Sequence, residues 1–394
     1  MLDDNRDFLV NEFVKITSLN GRYEQVECVN WPLASGEEKR GYFSLVFKAL
    51  DNTTGKNVAI KVMDPSHLGD DYRINCFKRE PKILTEIIGK KRCLQLVDEM
   101  RQHYIKVALP NGHQMDFPCD YFVTDWLDYN IDDYFLSKET FSSTIKLITF
   151  RHIVSSVEAI HSSNIFHRDL KPDNMRTDSQ NIDDRFILVI DFGTAAQYDS
   201  GKLMPDYGYQ VGHTMYSAPE TFLGFAGERS IAKYTDVYAL GCMLYELFND
   251  SLYFTQCTSN ANFGMALTAL GFTLSAIPTI EEKIKCYNGA VGNYARMVEP
   301  PDFFGFNCTL PGCISGVVTP LYKSLVHFDY NKRLYNFDVL RTRIDKAIRA
   351  LANEEYQKRS IEKRRIFKIN AIRKAEEKQL RLNNYLNSAK RISC

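Results

Sequence analysis

The chain contains no Cys-x-x-Cys pair and no repeated cysteine–histidine spacing, although it carries ten cysteines and eight histidines. That absence argues against the common zinc frameworks. Cys308 and Cys313 are the closest pair, and no partners flank them; scattered thiols fit a reducing compartment. No apolar run approaches the roughly 20 residues of a membrane-spanning helix. The opening residues Met1-Leu2-Asp3-Asp4-Asn5 are acidic where a secretory leader is basic. A soluble, intracellular, cytoplasmic protein that is not integral to a membrane is therefore expected. No internal repeat or low-complexity linker divides the chain. Net charge is missing as well, with 49 Lys/Arg against 49 Asp/Glu. Its distribution is uneven: residues 341–394 hold 16 Lys/Arg and 6 Asp/Glu, so this stretch is +10 and the rest −10. The last segment is thus physically distinct from the body.

At 394 residues the chain can bury one large core or two ordinary ones. Residues 23–33 and 43–50 read as strands joined by the polar loop 34–40. Asp51-Asn52-Thr53-Thr54-Gly55 reads as a turn and residues 57–63 as a third strand. Residues 77–88 suit a helix with Ile83, Leu84, Ile87 and Ile88 on one broad face. Two strands follow near 94–98 and 121–127, with Pro110-Asn111-Gly112 as the tip of an inserted hairpin. From residue 140 helices dominate, including 145–162 and 237–248. A small strand-rich part followed by a larger helical part is an α+β pattern, with a hinge at 125–128.

Two carboxylates and an amide stand close together in His167-Arg168-Asp169-Leu170-Lys171-Pro172-Asp173-Asn174 and Asp191-Phe192-Gly193. That set suits a reaction needing one base and one or two hard cations. Magnesium takes few protein oxygens and shares its shell with phosphate. Phosphoryl transfer consists mostly of positioning and charge neutralisation, for which such a cluster suffices. Either tripeptide alone is a weak signal; the eight-residue run followed by Asp-Phe-Gly is a strong one.

With these motifs the sequence resembles the protein kinase family over roughly residues 20–350, by the established motif set for that family. The resemblance implies a two-lobed protein kinase-like fold, with a small strand-rich N-lobe (about 20–124), the hinge 125–128 and a larger helical C-lobe (about 129–350). Residues 1–19 are left as an N-terminal extension and 351–394 as a basic tail of helical character. Asp169 is implied as the catalytic base, and Asn174 and Asp191 as magnesium ligands. Lys171 is implied to steady the γ-phosphate, a serine/threonine-type feature. Lys61, in Val58-Ala59-Ile60-Lys61 on the third strand, would contact the α/β-phosphates and pair with an acidic residue of the next helix. Glu80 is the candidate, and an exposed surface ion pair is its plain alternative. Gly41, Val46, Ala59, Thr124, Asp125 and Leu127 are implied to line the nucleotide pocket, with Thr124 gating its back. Ala218-Pro219-Glu220 resembles the end of the activation segment, Arg333 its buried ion partner, and Asp236 the helix residue bracing the catalytic loop. The implied cofactors are ATP and Mg2+, with Mn2+ as a substitute. The implied partners are protein substrates, with self-association for autophosphorylation.

Three departures from the family pattern stand out. The Gly-rich loop is degenerate: aligning Phe43, Val46, Lys48 and Ala49 puts Gly41 at the middle glycine, Ser44 at the third and Lys39 at the first, unless an insertion displaces Gly36. His213 takes the place where threonine usually follows Gly212. Leu334 replaces the proline usual after Arg333. Arg168 before the base suggests control by phosphate on Thr194, Tyr198, Ser200, Tyr207, Tyr209, Thr214, Tyr216 or Ser217; solvated loop hydroxyls are the alternative. The tail, residues 356–394, reads as a solvated helix, with nucleic-acid or acidic-lipid contact as a minority reading. Packing on the acidic body is the third. Two functions compete: a serine/threonine protein kinase, and a pseudokinase acting as an ATP-binding scaffold. Small-molecule kinases of related fold form a third class; they generally lack the Leu-Lys-Pro and Ala-Pro-Glu runs.

Overall fold

The computed structural model describes residues 4–31, 44–108, 113–136, 140–181, 186–197, 211–305 and 307–392, without the side chains of 4, 108, 371, 375 and 378–392. The Gly-rich loop with Gly41, the hairpin tip 110–112 and Tyr198, Ser200, Tyr207 and Tyr209 lie outside these residues.

Helix α1 (Asp4–Val14) is followed by β1 (Ser18–Leu19), β2 (Tyr23–Cys28), β3 (Ser44–Asp51), β4 (Lys56–Met63), α2 (Asp71–Thr85), β5 (Leu96–Ala108) and β6 (Gln114–Asp125). The strands form one sheet in the order β1-β2-β3-β4-β6-β5, antiparallel throughout. Side chains alternate across its faces. Leu45, Phe47, Val58, Ile60, Val62, Tyr121 and Val123 point into a core closed by Leu9, Val10 and Phe13 of α1. Val46, Ala59, Lys61, Phe122 and Thr124 are the intervening residues, so they share the opposite face. The turn between β3 and β4 is organised by Asp51, whose carboxylate takes Arg22 Nε and Nη2 at 2.9 and 2.7 Å and Thr53 N at 3.0 Å. The Arg22 hydrogen bond leads the effects that hold this buried carboxyl well below the ordinary range, against the opposing cost of burial.

Helix α2 begins two turns before the expected residue 77 and ends at Thr85, not at 88. The Asp70 carboxylate caps it by accepting from Arg73 N at 3.2 Å, a start signal that outweighs the polar first turn. Pro81 sits inside the helix. The strands expected near 94–98 and 121–127 are one long hairpin, β5–β6, paired from Leu96↔Thr124 to Ala108↔Gln114.

The C-lobe continues with β7 (Tyr129–Asn130), α3 (Asp133–Leu136), α4 (Ser143–His161), β8 (Ile165–Phe166), β9 (Met175–Thr177), β10 (Ile187–Val189), β11 (Ala196–Gln197), α5 (Pro219–Phe222), α6 (Ala232–Glu246), α7 (Tyr253–Ser259), α8 (Ala261–Ser275), α9 (Ile280–Tyr294), α10 (Gly312–Leu325) and α11 (Phe337–Ile392). Ser142 caps α4, accepting from Ile145 N at 3.3 Å. Its Leu147, Phe150, Ile153, Val154, Val157 and Ile160 form a buried stripe. Helix α6 is buried nearly all round and is the central post of this lobe. A Cβ at Gly241 would meet Val326 Cγ1 at 2.4 Å, so a glycine lets α6 approach α10 this closely. Helix α11 is one 56-residue helix: Leu340, Ile344, Ala347 and Leu351 pack on α4 and α10. Beyond Leu351 its described side chains are exposed, Tyr356, Ile361, Phe367 and Ile372 among them, except the half-buried Glu354 and Ser360. Among the described residues no helix is long and apolar enough to cross a membrane, and the nine described cysteines are free.

Candidate active site

The run 167–174 lies between β8 and β9, and short pairings close it. Strand β8 pairs with β11, and β9 with β10. Ile190 N donates to Asn174 O at 2.9 Å, which extends the β9–β10 pairing up to the residue before Asp191. Arg168 and Asp191 both take left-handed backbone conformations, φ 65° and 64°. Such conformations cost non-glycine residues of order 1–3 kcal/mol and persist where the surroundings impose them. At Arg168 the imposing group is Asp236 of α6. Asp236 Oδ2 accepts His167 N at 2.7 Å and lies 2.8 Å from His161 Nε2, while Oδ1 accepts Arg168 N at 2.7 Å. Burial pushes this carboxyl up, yet the His161 hydrogen bond and the other donors outweigh it and hold it below the ordinary range. His167 Nδ1 accepts from Asp169 N at 3.3 Å, so Nε2 carries the proton donated to Ile190 O at 2.9 Å.

Asp169 is held from three sides. Asn174 Nδ2 donates to its Oδ2 at 3.1 Å and to its carbonyl at 2.9 Å; Lys171 Nζ is 3.3 Å from Oδ2; His213 N donates to Oδ1 at 2.6 Å. Position 213 therefore reaches the carboxylate through its backbone, and the side-chain departure does not remove that contact. Gly212 makes it possible. Its φ is +85°, and a Cβ there would lie 2.2 Å from Arg168 O. The imidazole of His213 accepts from Met215 N at 3.3 Å. Partial burial, then the Lys171 charge, holds it below its ordinary pKa, so it is neutral near pH 7.

Above this loop, Lys61 Nζ donates to Glu80 Oε1 at 2.6 Å, and both groups are buried. Burial pulls the ammonium down, but Glu80 and then Asp191 outweigh it and hold Lys61 above its ordinary value. Glu80 is thus not a surface residue: the Phe192–Thr194 turn packs on α2, and Phe192 N also donates to the Glu80 carboxylate. Phe192 is fully buried, edge-on to His167 at 5.1 Å. Strand registers set Val46 opposite Lys61, Lys61 opposite Phe122 and Ala59 opposite Thr124, lining one wall. Thr124 is buried at the back of that wall; Asp125 N donates to Gln95 O at 3.1 Å, and Leu127 N donates to no described residue.

The remaining expected contacts are structural. Arg333 meets Glu220 bidentately at 2.5 and 2.8 Å. Leu334, in place of proline, uses its N–H on Ser324 O at 2.9 Å. Arg168, expected as a phosphate partner, is buried with Nε on Thr194 O at 2.9 Å. Of the hydroxyls named with it, Thr194 donates to His167 O, Tyr216 to Glu246 and Ser217 to His213 O.

Sequence reading missed Asn30, which takes Val46 N at 2.8 Å and gives to Ser44 O at 3.0 Å, joining the two flanks of the Gly-rich loop. An Asn at a strand end is its only mark. Also missed was a brace on residues 126–128: Lys48 lies 5.0 Å over the Trp126 ring, and Trp126 Nε1 donates to Asp128 at 2.7 Å. Neither residue type announces this role.

The donor set fits a nucleotide with a hard cation. Asn174 spends its NH2 on Asp169, and neither its Oδ1 nor the Asp191 carboxylate accepts a hydrogen bond from any described residue. Comparison with known proteins agrees. The protein kinase domain model matches residues 39–343. The chain belongs to the protein kinase domain family. Within that family it is 33% identical over 213 residues to the maternal embryonic leucine zipper kinase of Xenopus tropicalis (52% of this chain, 28% of that one). It is 24% identical over 212 residues to calcium-dependent protein kinase 4 of Plasmodium berghei (53% and 36%). It is 27% identical over 232 residues to serine/threonine-protein kinase ppk21 of Schizosaccharomyces pombe (57% and 38%). The matched part of this kinase domain thus spans well under half of each relative's own length.

Proposed function

We propose that this chain is an ATP-dependent protein kinase that transfers the γ-phosphoryl group to serine or threonine hydroxyls of protein substrates, other copies of itself among them, in the cytoplasm. The observation that carries the proposal is the formed Lys61–Glu80 pair at 2.6 Å on the same cleft as the braced Asp169. An ammonium has three N–H donors; Glu80 takes one, which leaves the others for α/β-phosphate oxygens. Asn174 Oδ1 and Asp191 would hold Mg2+, or Mn2+, which supplies charge neutralisation on the phosphates when bound. Val46 and Ala59 supply the apolar wall for adenine, and the Asp125 carbonyl and Leu127 amide the hinge contacts. Asp169, anchored through both oxygens, takes the proton of the attacking hydroxyl on a remaining lone pair. Lys171, 3.3 Å from Asp169, balances charge on the group in flight.

The test is incubation of the purified protein with labelled ATP, magnesium and casein beside Asp169→Asn. Loss of the base is expected to lower turnover by about 10²–10⁴-fold with the fold retained. Equal labelling by both proteins would defeat the proposal, and equal labelling with retained ATP binding would favour the pseudokinase scaffold. Phosphoamino-acid analysis of the product reads the serine/threonine preference that Lys171 supports.

A further inference from the structure

We propose that α1 is an activating element acting in cis, and that Arg6 is a positioning residue that holds α2, and with it Glu80, through the Pro65–His67 turn. The proposal rests on the phosphotransfer reading above, and α1 itself lies outside the matched 39–343. Leu9, Val10 and Phe13 are buried under the sheet, and Phe13 stacks on Phe47 at 5.1 Å, so α1 is docked on the lobe.

Its polar side reaches the Pro65–His67 turn on one side and Trp31 on the other. Arg6 Nε lies 3.0 and 2.9 Å from the two oxygens of Asp64, a fully buried carboxylate that also accepts Ser66 N at 3.0 Å. Asp64 stands three residues after Lys61, and the 64–70 connection leads directly into α2. Arg6 Nη2 is 3.1 Å from His67 Nε2, and Arg73 in the first turns of α2 meets the same nitrogen. Arg73 and Glu80 are seven residues apart, two helical turns, and so lie on one face of α2. A polar chain therefore runs from α1 through the turn to the helix that presents Glu80 to Lys61. On the other flank, Asp7 accepts Trp31 Nε1 at 2.8 Å, and the Arg6 guanidinium lies 5.2 Å over the Trp31 ring. Trp31 stands eight residues before Lys39, the first position of the Gly-rich loop. A buried carboxylate holds its geometry only while its cation is present. Without Arg6 the turn must rearrange to rehydrate Asp64, and the start of α2 moves with it.

The full chain is compared as wild type, Arg6→Met and Arg6→Lys, each also in a Glu80→Gln background. Phosphotransfer to casein is read as kcat and KM for ATP, and hydrogen exchange is followed across residues 71–85. Arg6→Met is expected to lower kcat/KM for ATP about tenfold, as a small misplacement of a catalytic partner does, with Arg6→Lys restoring most of it. In the Glu80→Gln background the same change should cost less than about twofold, because the two residues act through one contact. Exchange in α2 should quicken while that of α4 holds. Wild-type kcat/KM in Arg6→Met, a full additional loss on top of Glu80→Gln, or unchanged exchange in α2 would each overturn the proposal. If the wild type itself transfers no phosphate, the phosphotransfer reading fails, and α2 exchange still decides whether α1 positions that helix. If Arg6→Met does not fold, Arg6→Gln, which keeps a neutral donor on Asp64, carries the same comparison.

Discussion

Two buried cation–carboxylate pairs, one in the cleft and one at the base of the C-lobe, are built to opposite ends. Arg333 spends all five of its N–H groups: on Glu220 twice, and on the carbonyls of His327, Tyr234 and Phe328 at 2.8, 2.9 and 3.4 Å. Lys61 has Glu80 at 2.6 Å as its single hydrogen-bond acceptor among the described residues. A guanidinium with no donor to spare locks Glu220 to the backbone around 234 and 327–328. An ammonium with donors to spare, held charged by Glu80 and Asp191, is poised to receive something else. The Arg333 pair is saturated, and the Lys61 pair leaves donors open in the cleft.

The largest effect should come from Arg333→Met, which leaves Glu220 charged and buried; a loss of about 3–5 kcal/mol is expected by urea denaturation. Stability within about 1 kcal/mol of wild type would break the contrast. Next comes Glu80→Gln, expected to lower kcat/KM for ATP about 10–100-fold while stability moves little. A loss of stability as large as that of Arg333→Met would make the cleft pair structural too. Gly212→Ala should follow: its Cβ would strike Arg168 O and drag His213 N off Asp169. About tenfold in kcat is expected, with KM for ATP unchanged because the nucleotide wall is untouched; a raised KM with normal kcat would contradict this account. The smallest effect concerns Asp51, whose carboxylate takes two N–H groups of the partly exposed Arg22 and the amide of Thr53. Asp51 is held below its unfolded value near 3.9, so its contribution is complete above about pH 4 and is lost as pH falls through the lower folded value. Asp51→Asn should flatten the acid side of the stability–pH curve, and an unchanged slope would show the pair to be inert.

Much of the architecture was legible because alternation and motif are local properties. The strand carrying Lys61 and the loop from His167 to Asn174 were readable for that reason. The start of α2 was not: three polar residues, Asp71, Tyr72 and Arg73, conceal a first turn that the Asp70 cap holds in place. Helix α1 was left as an extension because its five apolar residues are not sorted by any local signal into the three that the sheet buries, Leu9, Val10 and Phe13, and the two left exposed, Phe8 and Val14. His213 drew attention for its side chain, whereas its amide makes the contact with Asp169, and an amide carries no residue identity to read.

Residue order alone specifies the chemical inventory of this protein: which carboxylates, amide and cations are available, on which strand or loop, and in what local spacing. Three-dimensional packing alone selects the pairs. Lys61 with Glu80, Arg333 with Glu220, Asp236 with His167 and Arg6 with Asp64 join residues 19 to 113 positions apart. Each charge has many partners of the right sign in the chain, and burial is what makes one of them binding.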